Sequence, residues 1–171
     1  MEIRALREND DRSRFSCGEE HLDRFFRVYA GQNQFRHHIG VTYVAVEGEE
    51  IIGFATVAPS HIEIEVLPAA ARKKLPSYPL PVLRLARLAV SRAYQSRGIG
   101  RQLIRFVMGL ALEMDARYGC AALTVDSKPG AVEFYAGLGF ITMNLLEGES
   151  DARPRPIPLY LSVQTLRRSA P

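Results

Sequence analysis

The sequence predicts a mixed α/β fold in which a single domain spans residues 1–171. Stretches with the apolar pattern of β-strands alternate along the chain with stretches whose apolar residues recur at the spacing of an α-helix. A length of 171 residues is enough for one hydrophobic core that buries about two-thirds of the surface of the unfolded chain. The composition, 47% hydrophobic and 24% charged, is that of an ordinary globular protein.

The first part of the chain predicts a helix followed by a β-hairpin. A Ser-x-x-Glu pattern from Ser16 to Glu19 has the spacing of a capping box, which marks the start of a helix. The predicted helix carries an apolar stripe made of Leu22, Phe25, Phe26 and Tyr29. Residues 41–46 and 51–57 are rich in β-forming side chains, and the Glu-Gly-Glu sequence at 47–49 predicts the turn between them.

The second part of the chain alternates between predicted helices and strands. A short helix over 69–75 follows Pro68, and the proline-rich segment 76–81 is an extended connector into a strand over 83–90. The long helix that comes next has an apolar stripe of Ile99, Leu103, Phe106, Val107, Leu110 and Met114. The pattern then predicts a strand over 121–126, a helix over 129–137, a polar loop over 148–156 and a strand over 159–166.

A glycine-rich turn between the strand over 83–90 and the long helix is the most informative feature of the chain. Gln-Ser-Arg-Gly-Ile-Gly at 95–100 leaves backbone N–H groups without partners at a helix N-terminus, where the helix dipole is positive. Gly98 and Gly100 remove side chains that would hold an anion off the backbone, and Arg97 and Arg101 add charged donors. The turn predicts a diphosphate site, with a plain tight connection as the alternative.

Charge is distributed unevenly along the chain, although the net charge is only +3. Between Val66 and Leu112 there is no acidic residue, and the basic residues there are Arg72, Lys73, Lys74, Arg84, Arg87, Arg92, Arg97, Arg101 and Arg105. A block of one sign around the turn focuses positive potential toward an anionic ligand, either a phosphorylated cofactor, a nucleic acid, or both. The alternative is an ordinary solvated surface.

Several classes of protein are not indicated. No run approaches the ~20 apolar residues of a membrane span, and the N-terminal residues lack the apolar core of a signal peptide. Cys17 and Cys120 have no metal-ligand spacing, and we expect free thiols in a cytoplasmic protein. The four histidines show no ligand pattern either, so we expect no metal.

These residues together resemble the GNAT family of N-acetyltransferases. The resemblance rests on the Gln-x-x-Gly-x-Gly turn after Leu88-Ala89-Val90 and on the Phe-Tyr-Ala-Gly-Leu-Gly-Phe sequence at 134–140, and it covers nearly the whole chain. Three further segments resemble the toxins of type II toxin–antitoxin pairs that acetylate aminoacyl-tRNA. These segments are Phe15–Glu19, the stretch from Arg72 to Pro81, and Leu85–Val90.

The resemblance implies a twisted mixed sheet whose two central strands splay apart, with acetyl-CoA in the gap. Backbone groups of the strand would pair with the pantetheine arm, and those of the turn would hold the diphosphate. The implied cofactor-binding residues are Leu88, Ala89, Val90, Gln95, Ser96, Arg97, Gly98, Ile99, Gly100 and Arg101. The basic surface would receive the 3′-phosphate of the cofactor, the tRNA backbone, or both, through Arg72, Lys73, Lys74, Arg84 and Arg87.

Tyr135 is the candidate catalytic residue. A thiolate that leaves a thioester needs a proton, and a phenol with a pKa of about 10 can supply it or hydrogen-bond the sulfur. In the family, a tyrosine at this place in the motif lies near the sulfur. The alternative from spacing alone is that Phe134, Tyr135 and Phe140 are all core aromatics.

The central strand departs from the family pattern, because residues 83–90 hold no glutamate that could act as a general base. Asp126 is the nearest candidate by sequence. A lysine acceptor, with a pKa of about 10.4, would arrive protonated, whereas an α-amino group with a pKa of about 7.7 to 8 is partly neutral already. The missing base therefore favours aminoacyl-tRNA as the acceptor.

The sequence thus predicts an acetyl-CoA-dependent N-acetyltransferase that acetylates the α-amine of aminoacyl-tRNA and inhibits translation. The family pattern also implies a small antitoxin, often a ribbon–helix–helix DNA binder, and a possible homodimer. Two alternatives stay open. One is the same chemistry on a small-molecule amine or a protein N-terminus, and the other is a non-catalytic CoA-binding regulator.

Overall fold

The computed structural model describes residues 1–144 and 155–169, and it confirms a mixed α/β fold with a seven-stranded mixed sheet flanked by helices. The strands are β1 (Glu2–Ala5), β2 (Val41–Glu47), β3 (Glu50–Ile62), β4 (Leu80–Val90), β5 (Ala122–Ser127), β6 (Ile141–Thr142) and β7 (Ile157–Ser162). The predicted polar loop over 148–156 lies mostly outside the described residues.

Six α-helical segments are described, several of them short. They are α1 (Glu20–Arg24), α2 (Ala30–Gln32), α3 (Ala69–Arg72), α4 (Ile99–Tyr118), α5 (Val132–Ala136) and α6 (Val163–Ser169). Two π-helical segments, Phe25–Tyr29 and Asn33–His37, make α1 and α2 parts of one continuous helical stretch. Short 3₁₀ turns occupy Ile64–Val66, Arg92–Tyr94 and Pro129–Ala131.

The chain divides into two compact units, which we describe separately. The first comprises Met1–Ala58 and Leu85–Gly109, and the second comprises Pro59–Arg84 and the described residues after Gly109. The expectation of one domain over 1–171 stays a prediction.

The first unit is built on an antiparallel β1–β2–β3 arrangement that continues into the second half of β4. Its core is aromatic: the rings of Phe26 and Phe54 stack with centroids 4.4 Å apart, and Phe15 meets both rings edge-on. A close approach fixes the start of α4 against β3. A Cβ on Gly53 would lie 3.1 Å from Leu103 and 3.3 Å from Ile99, so the helix packs directly on the glycine backbone.

The second unit contains the first half of β4, followed in the sheet by β5, β7 and β6. β7 pairs antiparallel with both β5 and β6, with Thr124 opposite Tyr160 and Ile141 opposite Tyr160 on its other side. A buried cluster of Leu67, Leu80, Val82, Ala122 and Tyr160 forms its core.

The predicted capping box at Ser16–Glu19 is wrong. The helix begins at Glu20, and Glu19 at the N-cap makes no side-chain capping hydrogen bond. Instead, the buried carboxylate of Asp23, within the first turn, accepts a hydrogen bond from the Cys17 N–H at 2.8 Å. Tyr29 is also misplaced in the predicted stripe, since it is 40% exposed. The wider π turn over Phe25–Tyr29 rotates the residues after it away from the face that a regular α-helix would present.

The predicted strand over 159–166 is also wrong in its second half, because the chain turns into α6 at Val163. Ser162 causes the change: its Oγ accepts a hydrogen bond from the Thr165 N–H at 3.1 Å and lies 2.7 Å from Thr165 Oγ1. That is the capping contact that starts a helix. Burial of Val163 and Leu166 then stabilises the helical conformation.

Other boundaries differ by a few residues. The helix predicted over 69–75 covers only Ala69–Arg72, and β4 starts at Leu80, inside the predicted connector. Pro81 lies near the start of β4 and still takes part in a hydrogen bond there, since its carbonyl accepts from the Ala121 N–H. Within α4, Ile104 and Ala111 are fully buried although the stripe omitted them. The short strands β1 and β6 carried no clear pattern and were not predicted.

Candidate functional site

The predicted diphosphate turn lies between the end of β4 and the start of α4, as the sequence indicated. The Ser91 N–H donates to the Ile52 carbonyl of β3 at 2.8 Å, which fixes where the chain leaves the sheet. Two turn residues have positive φ, Ser96 at +64° and Gly98 at +81°. A serine in this region is uncommon and marks a constrained turn.

Backbone donors collect in this turn without acceptors. Among the described residues, none accepts a hydrogen bond from the amide N–H groups of Ser96, Arg97, Gly98, Ile99, Gly100 or Arg101, and Gly98 supplies the first carbonyl of the helix to Gln102. A Cβ on Gly98 would meet nothing within 4 Å, so the space beside it is open. Fixed N–H groups at a helix N-terminus, facing open space, have the chemistry required to hold a diphosphate.

The side chains at the turn divide into structural and solvent-facing groups. Gln95 Nε2 donates to the carbonyls of Val90 and Cys17, both at 2.9 Å, so this side chain holds the turn closed. Arg97 lies over the ring of Tyr94, 5.1 Å from its centroid. The Tyr94 hydroxyl donates to Glu50 at 3.0 Å, and this hydrogen bond raises the pKa of Tyr94. Arg101 is exposed.

The predicted pantetheine strand is the last part of β4. Ala89 is buried in the core of the first unit, whereas Leu88 and Val90 are half-buried. The Ala89 carbonyl lies close to Gly53 on β3, which the close packing of the first unit requires. The pairing of this strand with a cofactor stays a prediction.

Tyr135 lies on α5 in the second unit and is only 6% exposed. Its ring meets Phe134 and Phe140 edge-on, with centroids 5.1 and 5.5 Å apart. Burial raises the pKa of Tyr135 to about 12. Phe140 belongs to the core as expected, but Phe134 is half-buried. The phenol of Tyr135 therefore keeps its proton at every physiological pH.

The five predicted tRNA-contacting residues have different environments. Arg72, Lys73 and Lys74 lie at the end of α3, where all three side chains are exposed. Arg84 donates to Asp126 at 3.0 Å, in a pair whose side chains are 50% and 47% exposed. Arg87, in the first unit, lies over the ring of Phe25 at 3.8 Å. The candidate base Asp126 is thus already engaged by a guanidinium.

The Arg84–Asp126 pair lines a cleft of the second unit with a volume of about 640 Å³, within the usual range for a small-molecule site. Its other lining residues include His61 at the end of β3, Glu63 and Val66 after that strand, and Met143 and Asn144 after β6. No sequence pattern marked these residues, since they come from segments that are distant along the chain. Their assembly depends on strand pairing.

Two negative findings concern the described residues. No cluster of three or more His, Cys, Asp or Glu side chains there could hold a metal ion. None of the helices described has both the length and the apolar character needed to cross a bilayer.

Comparison with known proteins gives the family. The family model of the acetyltransferase (GNAT) domain matches residues 38–142, which include the glycine turn and Tyr135. A tRNA-acetylating toxin of Mycobacterium tuberculosis (strain ATCC 25618 / H37Rv) is 31% identical over 138 residues, covering 80% of this chain and 82% of that protein.

Two solved structures match over almost their whole length. AtaT complexed with acetyl-methionyl-tRNAfMet is 27% identical with a TM-score of 0.84, covering 98% of this chain and 97% of that one. A tyrosine-to-phenylalanine mutant of AtaT, bound to acetyl-CoA and the C-terminus of the antitoxin AtaR, is 26% identical with a TM-score of 0.77, covering 99% and 98%. The chain is a member of the GNAT acetyltransferase family.

Proposed function

We propose that this protein transfers the acetyl group of acetyl-CoA to the α-amine of aminoacyl-tRNA and acts as the toxin of a toxin–antitoxin pair. Family membership makes it an acetyl-CoA-dependent N-acetyltransferase. The observation that carries the proposal is the turn Ser96–Arg101, whose amide N–H groups have no acceptor within the described part of the chain. To this family activity the proposal adds aminoacyl-tRNA as the acceptor and an antitoxin as the protein partner.

The turn at Ser96–Arg101 suits the diphosphate of acetyl-CoA, the acetyl donor. A diphosphate carries negative charge that fixed N–H groups and the positive end of a helix dipole stabilise without moving. The open space beside Gly98 lets the anion reach the backbone. Arg97 and Arg101 would add charge at the rim, where salt screens it more strongly.

We assign to Tyr135 the role of hydrogen-bond and proton donor to the leaving sulfur. Acetyl-CoA, when bound, supplies a thioester that exchanges its C–S bond for a C–N bond to the amine and leaves a thiolate. With a pKa of about 12, the Tyr135 phenol is always available as a donor. Complete transfer to a thiolate with a pKa of about 8.5 is uphill by about 5 kcal/mol. Tyr135 therefore stabilises developing charge on sulfur in the transition state, and solvent completes the protonation.

The lack of a dedicated general base on β4 supports aminoacyl-tRNA as the acceptor. β4 carries no carboxylate, and Asp126 is paired with Arg84. An α-amine with a pKa of about 7.7 to 8 loses its proton to solvent at neutral pH and needs no strong base. The cleft beside Asp126 is large enough for an aminoacyl end. The relatives support the same acceptor, since one is a tRNA-acetylating toxin and another was solved with acetylated methionyl-tRNA.

The partner proposal follows the relatives. AtaT is known bound to the C-terminus of the antitoxin AtaR, so we propose that a small antitoxin, of the ribbon–helix–helix type, binds and neutralises this chain. We propose in addition that the enzyme acts as a homodimer. Size measurement of the purified protein alone and with the protein encoded next to it tests both.

The acceptor is tested by incubating purified protein with acetyl-CoA and a panel of acceptors. The panel holds bulk aminoacyl-tRNA, the same tRNA after deacylation, peptides with free N-termini and small primary amines. We expect N-acetylaminoacyl-adenosine after nuclease digestion of the charged tRNA alone, and arrested growth when the gene is induced. Release of CoA with peptides or small amines, and none with charged tRNA, would mean that the enzyme is an acetyltransferase with a different acceptor. No CoA release with any acceptor would point to a non-catalytic CoA-binding protein.

A further inference from the structure

The loop Phe15–Gly18 has no role in the site described so far, yet it lies directly against the diphosphate turn in the first unit. Its backbone is held from two directions. On one side the helical stretch binds it: Arg27 Nε donates to the Phe15 carbonyl at 2.9 Å, and Asp23 accepts from the Cys17 N–H at 2.8 Å. Phe15 itself is anchored in the aromatic core.

On the other side the loop binds the turn. The Ser16 carbonyl accepts from the Arg92 N–H at 2.9 Å, and the Cys17 carbonyl accepts from Gln95 Nε2 at 2.9 Å. Gln95 uses the second hydrogen of the same amide on the Val90 carbonyl, also at 2.9 Å. An amide NH₂ has two donor hydrogens, so this side chain is fully committed to holding the loop, the end of β4 and the turn together.

Gly18 explains how the loop comes so close. Its φ is +96°, and a Cβ built there would lie 2.8 Å from Arg92 Nε. The positive φ favours glycine, and a side chain there would also displace the Arg92 guanidinium. The loop is therefore a rigid piece between the helical stretch and the turn.

Asp23 is the buried end of this chain of contacts. It is 3% exposed, and a buried carboxylate is costly unless it is hydrogen-bonded. The contacts run from Asp23 to the Cys17 N–H, and from the Cys17 carbonyl to Gln95 and so to the turn. Because amide donors bind an anion well only when their directions are fixed in advance, the orientation of the turn depends on this support.

We propose that the loop Phe15–Gly18 is a structural part of the cofactor site, and that Gln95 and Asp23 are positioning residues for the diphosphate of acetyl-CoA. The inference rests on the proposed binding of the diphosphate at Ser96–Arg101. In this role neither side chain contacts the cofactor, which for Gln95 differs from the direct contact that the family resemblance implies. Each sets the direction of the amide donors that do.

The decisive variant is Gln95→Glu, which keeps the shape of the side chain but replaces the NH₂ group, and with it both donor hydrogens, by one oxygen that faces two carbonyls. Gln102→Glu is the matched control, because it puts the same negative charge on the exposed first turn of α4 without a bond to the loop. Dissociation constants are measured by calorimetry for acetyl-CoA and for S-acetylpantetheine, which has the thioester arm but no diphosphate.

We expect Gln95→Glu to weaken acetyl-CoA binding roughly tenfold more than Gln102→Glu, since both hydrogen bonds of the Gln95 amide are removed. We expect the two variants to bind S-acetylpantetheine alike. Equal weakening by Gln95→Glu of the binding of both ligands would overturn the inference. If the unmodified protein does not prefer acetyl-CoA over S-acetylpantetheine, the proposed diphosphate site fails instead.

Substitutions of Asp23 test the same inference independently of Gln95. Asp23→Asn keeps an oxygen that can accept from the Cys17 N–H and should bind acetyl-CoA nearly as the parent does, whereas Asp23→Leu should bind it several-fold more weakly. If Asp23→Leu does not fold, the Gln95 comparison still decides. A double variant of Gln95→Glu with Asp23→Leu should be less than additive, because both changes release the same loop. Full additivity would show that Asp23 acts elsewhere.

Discussion

The turn at Ser96–Arg101 and the basic segment Arg72–Lys74 both present positive potential, but they do so by different physical means. The turn uses backbone N–H groups whose directions are fixed by β4, α4 and the side chain of Gln95. The basic segment uses long side chains at the end of a short helix, and each of them gives up about 1.5 to 2 kcal/mol of rotamer entropy when it is immobilised. The first arrangement suits one small anion in one pose. The second suits a long polyanion whose position varies.

The strongest contrast with both proposed anion sites is Tyr135, to which we assign a role at the reacting atoms. Replacing it with phenylalanine keeps the ring packing against Phe134 and Phe140 and removes only the hydroxyl. We expect the turnover number to fall roughly 100-fold to 10,000-fold, because the proton donor is removed, while acetyl-CoA binds with unchanged affinity. An acetyl-transfer assay stopped at fixed times measures the turnover number, and calorimetry measures the affinity for acetyl-CoA. Turnover above a tenth of the parent value would remove Tyr135 from the mechanism.

Reversing the charge of the basic segment Arg72–Lys74 tests whether its long side chains bind tRNA. In Arg72→Glu/Lys73→Glu/Lys74→Glu, we expect tRNA binding to weaken about tenfold at low salt. The slope of log affinity against log salt should also become shallower, by about 0.7 to 0.9 for each phosphate that the protein no longer neutralises. Arg84 is left out because its reversal would place two carboxylates together at Asp126.

Acetyl-CoA binding is the control for this reversal, and it should change little. An unchanged salt slope for tRNA would mean that the segment is only solvated surface.

Glycine substitution tests whether backbone direction is what the turn contributes. Gly98→Ala meets no steric obstacle, so its cost is the unfavourable φ of +81°. We expect about a fivefold weaker acetyl-CoA affinity. Gly48→Ala is the matched control, since Gly48 also has positive φ with open space around it but lies in the β2–β3 hairpin. The control should lower the melting temperature without weakening acetyl-CoA binding.

The smallest expected effect concerns pH. Burial disfavours the phenolate and raises the pKa of Tyr135 to about 12, so the protonated form persists far above neutrality. The turnover number should therefore rise as the acceptor amine deprotonates near pH 8 and stay level to about pH 10. An acceptor with an amide-linked amino acid avoids ester hydrolysis in this measurement. A decline centred below about pH 10 would contradict the pKa of the buried phenol.

The predicted elements were wrong where a side-chain contact or burial, and not local propensity, decided the conformation. Residues 159–166 have the propensity of one strand, but the contact of Ser162 with Thr165 and the burial of Val163 and Leu166 turn the second half into a helix. The Ser16–Glu19 pattern matches a capping box, but the Ser16 carbonyl accepts a hydrogen bond from the Arg92 N–H. The carboxylate that accepts from the loop is that of Asp23, at the Cys17 N–H. The π-helical segments had no signature in the sequence.

The sequence by itself determined the order of most helices and strands, the hairpin, the glycine turn and the motif around Tyr135. These features depend on neighbours a few residues apart, through periodicity, turn geometry and helix-end hydrogen bonding, so a single chain segment contains the information. Tertiary structure alone decided that Arg84 would pair with Asp126, that Tyr135 would be buried enough to hold its proton, and that Gln95 would bind the loop Phe15–Gly18. Each of these depends on segments separated along the chain, whose meeting is set by strand pairing and packing.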